Sequence, residues 1–445
     1  MSEIIFELQK LCWNPFTLSA FIGTGLYFTV KSGFFQLRHP FLIFSNTFGS
    51  LGKRTGNDGI SPFSALSCAL AACMGTGNII GVAAAITAGG PGAVFWMILS
   101  ALLGEMTCCA ENILGIENRA KNEKNEWLGG SMLYIEKAFS SRKAACIFSF
   151  FCIGASLGMG NMTQANAISS ALCESRDFSP AAVGIAVASL TGMILLGGLK
   201  RISSFTEKII PVASAVFILA LIAVIIKNSR GIPHALCEIF KGAFGIKAVG
   251  GGIAGSTVAK AVKAGVARGV FSNEAGLGSS PIVHAAADVP DSITQGLWGI
   301  AEVFIDTVLM CTLTALALLS SKAYNPEISP TQMNIAAFQT VLGDYSQHFV
   351  CVSLCVFAFA TVTGWAYYGE KAAEYAFGPK AVTPYRIIYL IFIVIGCTSK
   401  LETVWAAADI FNALMAVPNL IAIIKLRKEA VTQIKKFTGR IKPCR

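Results

Sequence analysis

A short polar segment, Gly75-Thr76-Gly77-Asn78, interrupts an otherwise apolar stretch of the chain. Glycine there allows a helix to unwind, and the half-helix that follows presents free N–H groups and the positive end of its dipole. These groups suit a carboxylate, to which Thr76 and Asn78 can add side-chain hydrogen bonds. The alternative is that the glycines only permit tight helix packing. A buried amide such as that of Asn78 is costly unless it has a partner, which favours a polar cavity.

Backbone oxygens near this segment suit a different ligand. The carbonyls of Ala71 and Met74, released just before the interruption, are hard oxygen ligands for a small cation. Far along the chain, Thr361 has a hydroxyl group, and the carbonyls of Phe357 and Ala360 lie within one helical turn before it. Because residues at i and i+4 share a helix face, we expect these oxygens to complete the cation shell.

A second interruption covers residues 269–276, which read Gly-Val-Phe-Ser-Asn-Glu-Ala-Gly. Asn273 and the backbone near Phe271 are the candidates for contact with an ammonium group. Glu274 is either an ionisable coupling site or a structural partner for Arg268 or for freed N–H groups. We favour the structural role because charges within a membrane usually pair.

Two further side chains are candidates for the same pocket. Gln164 lies among small residues and can contact a ligand, although other amides in that segment can equally join helices by hydrogen bonds. Trp365 lies one turn beyond Thr361 and can form a wall of a small pocket. The neighbouring Tyr367 and Tyr368 have an alternative role in an aromatic belt at the membrane interface.

The elements that position these residues suit lipid rather than water. Of the 445 residues, 54% are hydrophobic and only 13% are charged, whereas soluble domains carry about 25% charged residues. Apolar runs of about 20 residues, long enough to cross a bilayer, recur along nearly the whole chain. The predicted fold class is an all-α polytopic membrane protein with two discontinuous helices and about eleven spans. We place these spans at 14–34, 62–86, 92–117, 145–173, 179–198, 206–227, 265–287, 292–320, 346–368, 383–399 and 403–426.

Basic residues predict the orientation of the chain. The net charge of +10 would suggest nucleic acid as a partner of a soluble domain, but 24 of the 35 Lys and Arg residues fall in alternate loops. That side should be the cytoplasm, so we expect the N-terminus outside and the C-terminus inside the cell membrane. The loops concerned are 31–54, 119–143, 200–208, 371–386 and 425–445.

Spans 2–6 and 7–11 form two sets of five. An odd number of spans in each set gives the two sets opposite orientations, which predicts an inverted repeat, and each set opens with its own broken helix. A substrate is then expected between the repeats. The predicted divisions are an N-terminal helix with the first span (1–61), the first repeat (62–228), an extracellular connection with a surface helix (229–264), the second repeat (265–427) and a basic cytoplasmic tail (428–445).

The chain shows no Walker-type nucleotide motif and no visible arrangement of nucleophile, base and oxyanion hole. We therefore expect neither an enzyme nor a nucleotide-driven pump, and no cofactor. Transport energy should come from an ion gradient. Because no cluster of carboxylates marks the predicted cation site, sodium bound by neutral oxygens is the more economical coupling ion.

These residues resemble those of the alanine or glycine:cation symporters, a family of the leucine-transporter-type fold superfamily. The resemblance covers residues from about 60 to 425. It is carried by Gly75-Thr76-Gly77-Asn78-Ile79, Gly89-Gly90-Pro91-Gly92-Ala93, Gly197-Gly198-Leu199-Lys200-Arg201-Ile202, the segment from Arg268 to Gly276, Gln295-Gly296-Leu297-Trp298, Phe304-Ile305-Asp306-Thr307 and Gly364-Trp365-Ala366-Tyr367-Tyr368-Gly369.

The resemblance implies sodium-coupled uptake of small neutral amino acids, chiefly alanine and glycine, through eleven spans. By position, the residues it implies around the amino acid are Gly75, Thr76, Gly77, Asn78, Gln164, Phe271, Asn273 and Trp365. The residues it implies around sodium are Ala71, Met74, Phe357, Ala360 and Thr361. The chain departs from the family in having Ala360 where Ser or Thr is usual and Glu105 in the third span.

Other functions stay open on the sequence alone. In the same fold, the alternative is a proton- or sodium-coupled carrier of another small zwitterion. In a different class, the alternative is a channel or a sensory membrane protein. The expected partners are a small amino acid, sodium and the lipid bilayer, without nucleic acid or nucleotide, and we expect a monomer.

Overall fold

The computed structural model describes residues 2–50, 59–122, 125–175, 178–245, 251–399 and 401–439. Helices dominate it. In the first half they are α1 (Ser2–Cys12), α2 (Pro15–Lys31), α3 (Phe35–Arg38), α4 (Pro40–Asn46), α5 (Pro62–Cys73), α6 (Ile80–Gly89), α7 (Gly92–Glu117), α8 (Ser131–Phe139), α9 (Arg142–Leu157), α10 (Thr163–Ser175), α11 (Pro180–Leu195) and α12 (Gly198–Lys227). A short antiparallel pair, β1 (Ala120–Lys121) and β2 (Trp127–Leu128), lies between α7 and α8.

The second half continues with α13 (Ile232–Phe244), α14 (Gly251–Asn273), α15 (Ser280–His284), α16 (Ser292–Val303), α17 (Thr312–Ser320), α18 (Pro330–Leu342), α19 (Ser346–Phe377), α20 (Val382–Thr398), α21 (Leu401–Lys425) and α22 (Arg427–Gly439). Short 3-10 turns occupy Phe48–Ser50, Thr76–Asn78, Ser229–Gly231, Gly343–Tyr345 and Pro379–Ala381.

Seven helical segments in the described part of the chain are long and apolar enough to cross a bilayer. They are Gly92–Glu117, Arg142–Cys173, Gly198–Lys227, Ser292–Ser320, Pro330–Phe377, Pro379–Thr398 and Val404–Lys425, and shorter apolar helices occupy Pro62–Cys73, Ile80–Gly89 and Pro180–Leu195. Large apolar side chains such as Leu219 and Ile226 are exposed on these helices, as lipid contact requires. The chain is an all-α multi-pass membrane protein, as predicted. The count of eleven spans and the inverted repeat stay predictions.

The first helix break falls at the predicted residues. Pro62 and the N-cap Ser61, whose hydroxyl accepts a hydrogen bond from the backbone N–H of Ser64, begin α5. The helix ends at Cys73, Gly75 has neither helical nor extended backbone angles (φ −108°, ψ −135°), and a 3-10 turn leads to α6. The regular α-helical backbone is therefore interrupted between α5 and α6.

The second break begins later than predicted. The α14 helix runs without interruption to Asn273, and the break lies between Glu274 and α15. Glu274, Gly276 and Gly278 have φ angles of +58°, +91° and +81°. A right-handed helix cannot continue through such left-handed residues, which is why the interruption starts at Glu274 rather than at Gly269.

The start of the predicted seventh span also differs. Residue 265 falls inside α14, which already begins at Gly251, so the described end of the 229–264 connection belongs to the same helix. Lys260 and Lys263, in the predicted surface helix, line an open cavity. Parts of the predicted loops, namely 51–58, 246–250 and 440–445, lie outside the described residues.

Two helices contain π-helical segments, Gly158–Met162 between α9 and α10 and Phe304–Cys311 between α16 and α17. Such segments interrupt the regular backbone hydrogen bonds and occur frequently at functional sites. One immediately precedes Gln164, and the other contains Asp306. The α7 helix packs against α14 and α16 and thereby holds the helices that carry the second break and Asp306.

Candidate functional site

The two broken segments lie directly against each other. A Cβ atom placed on Gly77 would lie 3.4 Å from both the Cα and the Oγ atoms of Ser272, near the end of α14. Both residues are buried. The polar groups of the two interruptions, which are far apart in sequence, therefore share one region of the fold.

Thr361 in α19 brings together two of the predicted cation-binding carbonyls. Its Oγ1 donates to the carbonyl oxygen of Ala71 at 2.8 Å and lies 3.1 Å from that of Phe357. Ala71 is in the last turn of α5, where carbonyls lack a helical partner. Three of the five predicted sodium ligands thus converge, and all three are buried neutral oxygens that suit a monovalent cation.

The other two predicted ligands are placed differently. The carbonyl of Ala360 accepts a hydrogen bond of 2.7 Å from the hydroxyl of Thr363. Met74 follows the end of α5, and its Sδ atom lies 3.8 Å from the Ser214 hydroxyl. Their part in a cation shell stays a prediction.

Beside this cluster the first break offers polar atoms to a ligand. The N–H group of Thr76 donates to Gln164 Oε1 at 3.2 Å. A Cβ atom placed on Gly75 would lie 2.7 Å from that same oxygen and 2.5 Å from Thr361 Oγ1, so a side chain there would collide with both. The Oγ1 atom of Thr76 and the Oδ1 atom of Asn78 are buried without a partner. Buried polar atoms are rarely left unpaired, and these two point to a ligand.

Asn78 also joins the first break to the carboxylate of Asp306, which is not among the predicted site residues. Its Nδ2 atom lies 2.8 Å from both the carbonyl oxygen and Oδ1 of Asp306. The hydroxyls of Ser272 and Thr307 donate to Asp306 Oδ2 at 2.8 and 2.6 Å. In the sequence, the feature that could have indicated this role was a single aspartate in the largely apolar stretch Phe304-Ile305-Asp306-Thr307.

The predicted residues of the second break have local partners. Asn273 Oδ1 accepts a hydrogen bond of 3.1 Å from the N–H group of Ala275 and so supports the turn that ends α14. The ring of Phe271 stacks on that of Trp405, with centroids 5.1 Å apart and planes 10° apart. The backbone near Phe271, rather than its ring, remains the candidate for contact with an ammonium group.

Trp365 is fully buried and is held by Glu274. Its Nε1 atom donates to Glu274 Oε1 at 2.8 Å, while the hydroxyl of Ser279 donates to Oε2 at 2.5 Å. Tyr367 and Tyr368 are 3% and 1% exposed, so the alternative of an aromatic belt at the lipid interface is wrong for them. These rings face other helices instead.

The suggested pairing of Arg268 with Glu274 is also wrong. Arg268 pairs with Asp409 of α21, where the Nη2 and Oδ2 atoms lie 3.2 Å apart. The left-handed backbone at Glu274 turns this side chain inward, whereas Arg268 lies more than one turn earlier on α14. Asp409 also accepts from Gln9 Nε2 at 2.5 Å and, through its carbonyl, from Trp13 Nε1 at 3.0 Å.

An open cavity of about 240 Å³ adjoins this ion pair. Four basic side chains contribute to its walls against one carboxylate. The full lining is Gln9, Lys10, Trp13, Ala88, Lys260, Lys263, Ala264, Ala267, Arg268 and Asp409.

On the other side of the second break, a buried polar network fixes the loop between α14 and α15. Glu111 accepts from the N–H group of Gly276 at 3.1 Å and from Asn419. Ser131 donates to the carbonyl of Gly278 at 2.5 Å. The break is thereby tied to α7, α8 and α21.

A second part of this network surrounds His284 in α15. Its Nε2 atom lies 3.0 Å from Glu302 Oε2, and its Nδ1 atom contacts the amide of Gln295. Ser280 also donates to Glu302, at 2.7 Å. These bonds lie within the protein interior.

One short segment, Gly154-Ala-Ser156-Leu-Gly158, has the spacing of a hydrolase nucleophile motif. It lies at the end of a continuous helix, where the Ser156 hydroxyl bonds to the Ile153 carbonyl and to Tyr385. The strand-to-turn-to-helix geometry of that motif is lacking here. The segment therefore contributes to the packing of helices.

Comparison with known proteins places this site in context. A model of the sodium:alanine symporter family matches residues 1–443. An uncharacterised transporter of Haemophilus influenzae is 39% identical over 447 residues, covering 99% of this chain and 97% of its own length. The sodium/alanine symporter AgcS of Methanococcus maripaludis is 36% identical over 443 residues, covering 98% and 97%.

A solved structure shows a similar fold. It is the manganese transporter of Eremococcus coleocola in complex with an aromatic bis-isothiourea compound, with a TM-score of 0.54 and 12% identity, covering 86% of this chain and 88% of its own. At that identity the likeness concerns the fold alone. The family match and the relatives concern nearly the whole sequence and describe transporters rather than enzymes, so the chain belongs to the sodium:alanine symporter family.

Proposed function

We propose that the protein is a secondary active transporter that carries small neutral amino acids, alanine and glycine first, into the cell together with sodium. The observation that carries this proposal is the contact of Thr361 with the Ala71 carbonyl beside the first helix break. It unites α19 with α5 through oxygens that a sodium ion can bind. The family match and the sodium/alanine symporter from Methanococcus maripaludis support the choice of ion and substrate.

The amino acid binds, in this proposal, at the unpaired polar atoms next to the cation. Its carboxylate faces the backbone of Gly75 and Gly77 and the hydroxyl of Thr76, where the N-terminus of α6 favours negative charge. Its ammonium group faces the backbone near Phe271 and the side chain of Asn273. Gln164 and Trp365 enclose the rest, which limits the size of the side chain.

Coupling follows from where the sodium ligands lie. Sodium binding at Ala71, Phe357 and Thr361, with contributions expected from Met74 and Ala360, holds α19 against the end of α5. That contact orders the neighbouring break and prepares it for the amino acid, so each ligand increases the affinity for the other. Alternating access then moves both ligands across the membrane between the two predicted repeats, 62–228 and 265–427.

The direction of transport rests on the distribution of basic residues. We propose an extracellular N-terminus, an extracellular 229–264 connection and a cytoplasmic tail from residue 428, in a protein of the cell membrane that acts as a monomer. On this orientation the Arg268–Asp409 pair and its cavity lie on the outer side.

Reconstituted vesicles test this function. Purified protein in proteoliposomes should accumulate radiolabelled alanine against its gradient when sodium is high outside. Replacing the external sodium by potassium at fixed pH should abolish accumulation. Unchanged uptake in potassium would contradict sodium coupling, and a proton gradient that drives uptake without sodium would favour the proton-coupled alternative.

Competition defines the substrate. Unlabelled alanine, glycine, serine and glutamine, in both enantiomers where they exist, should compete with labelled alanine. Competition should become weaker as the side chain becomes larger. Flux that never saturates with alanine concentration would instead indicate a channel.

A further inference from the structure

A group of exposed apolar side chains follows the end of α2. Phe34 precedes α3, Leu37 lies within it, and Phe41 and Phe44 lie in α4, where they are 88% and 62% exposed. The α3 and α4 helices have four and seven residues, too few to cross a bilayer. Large apolar side chains on such short helices suit the boundary between the acyl chains and the headgroups of a bilayer.

A distant segment brings positive charge to the same place. The ring of Phe437, in α22, contacts the ring of Phe35, in α3, edge to face with centroids 6.2 Å apart. Lys435 and Lys436 directly precede Phe437, and Arg38 lies one turn beyond Phe35. The aromatic contact therefore joins the basic residues of α3 and α22 at one surface.

The basic side chains of this surface lack counter-charges. Within the described part of the chain, four exposed basic residues form no ion pair, namely Lys31, Arg38, Lys435 and Lys436. By contrast, Lys137 of α8 pairs with Glu429 of α22, where Nζ and Oε2 lie 2.8 Å apart. Unpaired charges of one sign attract a partner of the opposite sign.

The α22 helix holds these charges in a fixed position. Its Ala430 and Ile434 side chains are fully buried. The Nε2 atom of Gln433 donates to Glu117 Oε1, at the end of α7, at 2.9 Å. Because the helix is already docked, a partner that binds beside it loses little conformational entropy in ordering it.

We propose that this surface binds the headgroups of anionic phospholipids. The α3–α22 surface consists of Lys31, Phe34, Leu37, Arg38, Phe41, Phe44, Lys435 and Lys436. Its basic side chains face the headgroup phosphates, and its exposed apolar side chains pack on the acyl chains, as basic and apolar residues do at the surface of an anionic membrane. On the proposed orientation, the lipids are those of the cytoplasmic leaflet. The inference does not depend on which ligand the protein carries.

Thermal unfolding with added lipid tests this site. Purified protein in a nonionic detergent is titrated with phosphatidylglycerol or with phosphatidylcholine of the same acyl chains, and the rise in Tm reports binding to the folded protein. Phosphatidylglycerol should raise Tm at concentrations at which phosphatidylcholine does not. The difference should shrink at high salt, because exposed charges are screened. Inorganic phosphate lacks acyl chains and should give no rise. An equal rise with phosphate and with phosphatidylglycerol would overturn a lipid site in favour of a simple anion site.

Variants locate the binding on the α3–α22 surface. A basic side chain near an anionic membrane surface contributes about fivefold in affinity. Arg38→Gln and Lys436→Gln, which change different helices, should each raise the half-saturating phosphatidylglycerol concentration by about fivefold, and the double variant by about 25-fold. Lys428→Gln is the matched control: this exposed lysine of α22 lines a cavity together with Glu117 and Glu429, and its replacement should keep the wild-type value. Equal half-saturating concentrations for the wild type and the double variant, or equal rises in Tm with the two lipids, would overturn the proposal.

Discussion

Replacing Thr361 by valine isolates one oxygen of the proposed sodium site. Valine has nearly the same shape as threonine, so the change removes the hydroxyl with little change in packing. That hydroxyl contacts the carbonyls of Ala71 and Phe357 at 2.8 and 3.1 Å. The substitution removes one sodium ligand and leaves the Ala71 carbonyl buried without its hydrogen-bond donor.

The size of the effect follows from the cost of a lost buried partner. That cost is about 1–3 kcal/mol, and each 1.4 kcal/mol is about tenfold in affinity. We therefore expect Thr361→Val to raise the half-saturating sodium concentration by about 5- to 140-fold. The unfolding free energy without sodium should fall by a similar amount, about 1–3 kcal/mol, because Ala71 loses its donor.

Sodium-dependent unfolding measures the same change without transport. Sodium at about 100 times its Kd stabilises a single-site protein by about 2.7 kcal/mol, and a site weakened about 30-fold retains about 0.9 kcal/mol at that concentration. The measurement is the rise in Tm with sodium chloride over choline chloride, combined with alanine uptake as a function of sodium. Thr361→Ser, which keeps an oxygen, should recover most of the sodium affinity.

Thr363→Val is the matched control for this prediction. Thr363 is a buried threonine two residues further along α19, and its hydroxyl bonds to the Ala360 carbonyl of the same helix. Its replacement should cost some stability but keep the sodium dependence. If Thr361→Val and Thr363→Val show the same half-saturating sodium concentration as wild type, the placement of the sodium site is refuted.

Three further predictions test other parts of the structure. Gly75→Ala should abolish alanine uptake, because its Cβ atom would lie 2.5 Å from the buried hydroxyl of Thr361. The control Gly81→Ala should still transport, since its Cβ atom would lie 3.8 Å from the nearest neighbouring atom. Normal uptake by Gly75→Ala would count against the site. Glu274→Gln should reduce uptake by no more than about fivefold, since an amide oxygen can still accept a hydrogen bond from Trp365. Complete loss of uptake, with folding retained, would identify Glu274 as an ionisable coupling group. A membrane-impermeant maleimide should label the exposed Cys237 of α13 from outside intact cells, and labelling only in inside-out vesicles, absent in Cys237→Ser, would reverse the proposed orientation.

The local backbone could be predicted from the sequence. Glycine and polar residues in an apolar stretch predicted the break at Gly75–Asn78, because a helix at bilayer depth is interrupted only where its backbone finds polar partners. The second break was predicted within the right segment, but not its start at Glu274. The sequence does not show which residue turns left-handed when several small residues adjoin.

Partners of the charged and polar side chains could not be predicted in the same way. Arg268 was one of the partners suggested for Glu274, six residues away, but it pairs with Asp409, 141 residues away. Asp306 gave no local sign that Asn78, 228 residues earlier, would reach it. Such pairs depend on which helix faces pack together. Because several helix faces carry similar small residues, the local sequence does not indicate which of them meet.

The sequence by itself therefore determined a membrane-spanning, helical protein with polar breaks, since lipid requires apolar spans and internally paired backbone along the whole length of the chain. The tertiary structure decided that the two breaks touch at Gly77 and Ser272, that Thr361 meets Ala71, and that Asp306 lies between the breaks. Spans and breaks follow from composition within about 20 neighbouring residues. Ligand sites follow from long-range packing, which selects one set of contacts from many that the local sequence allows.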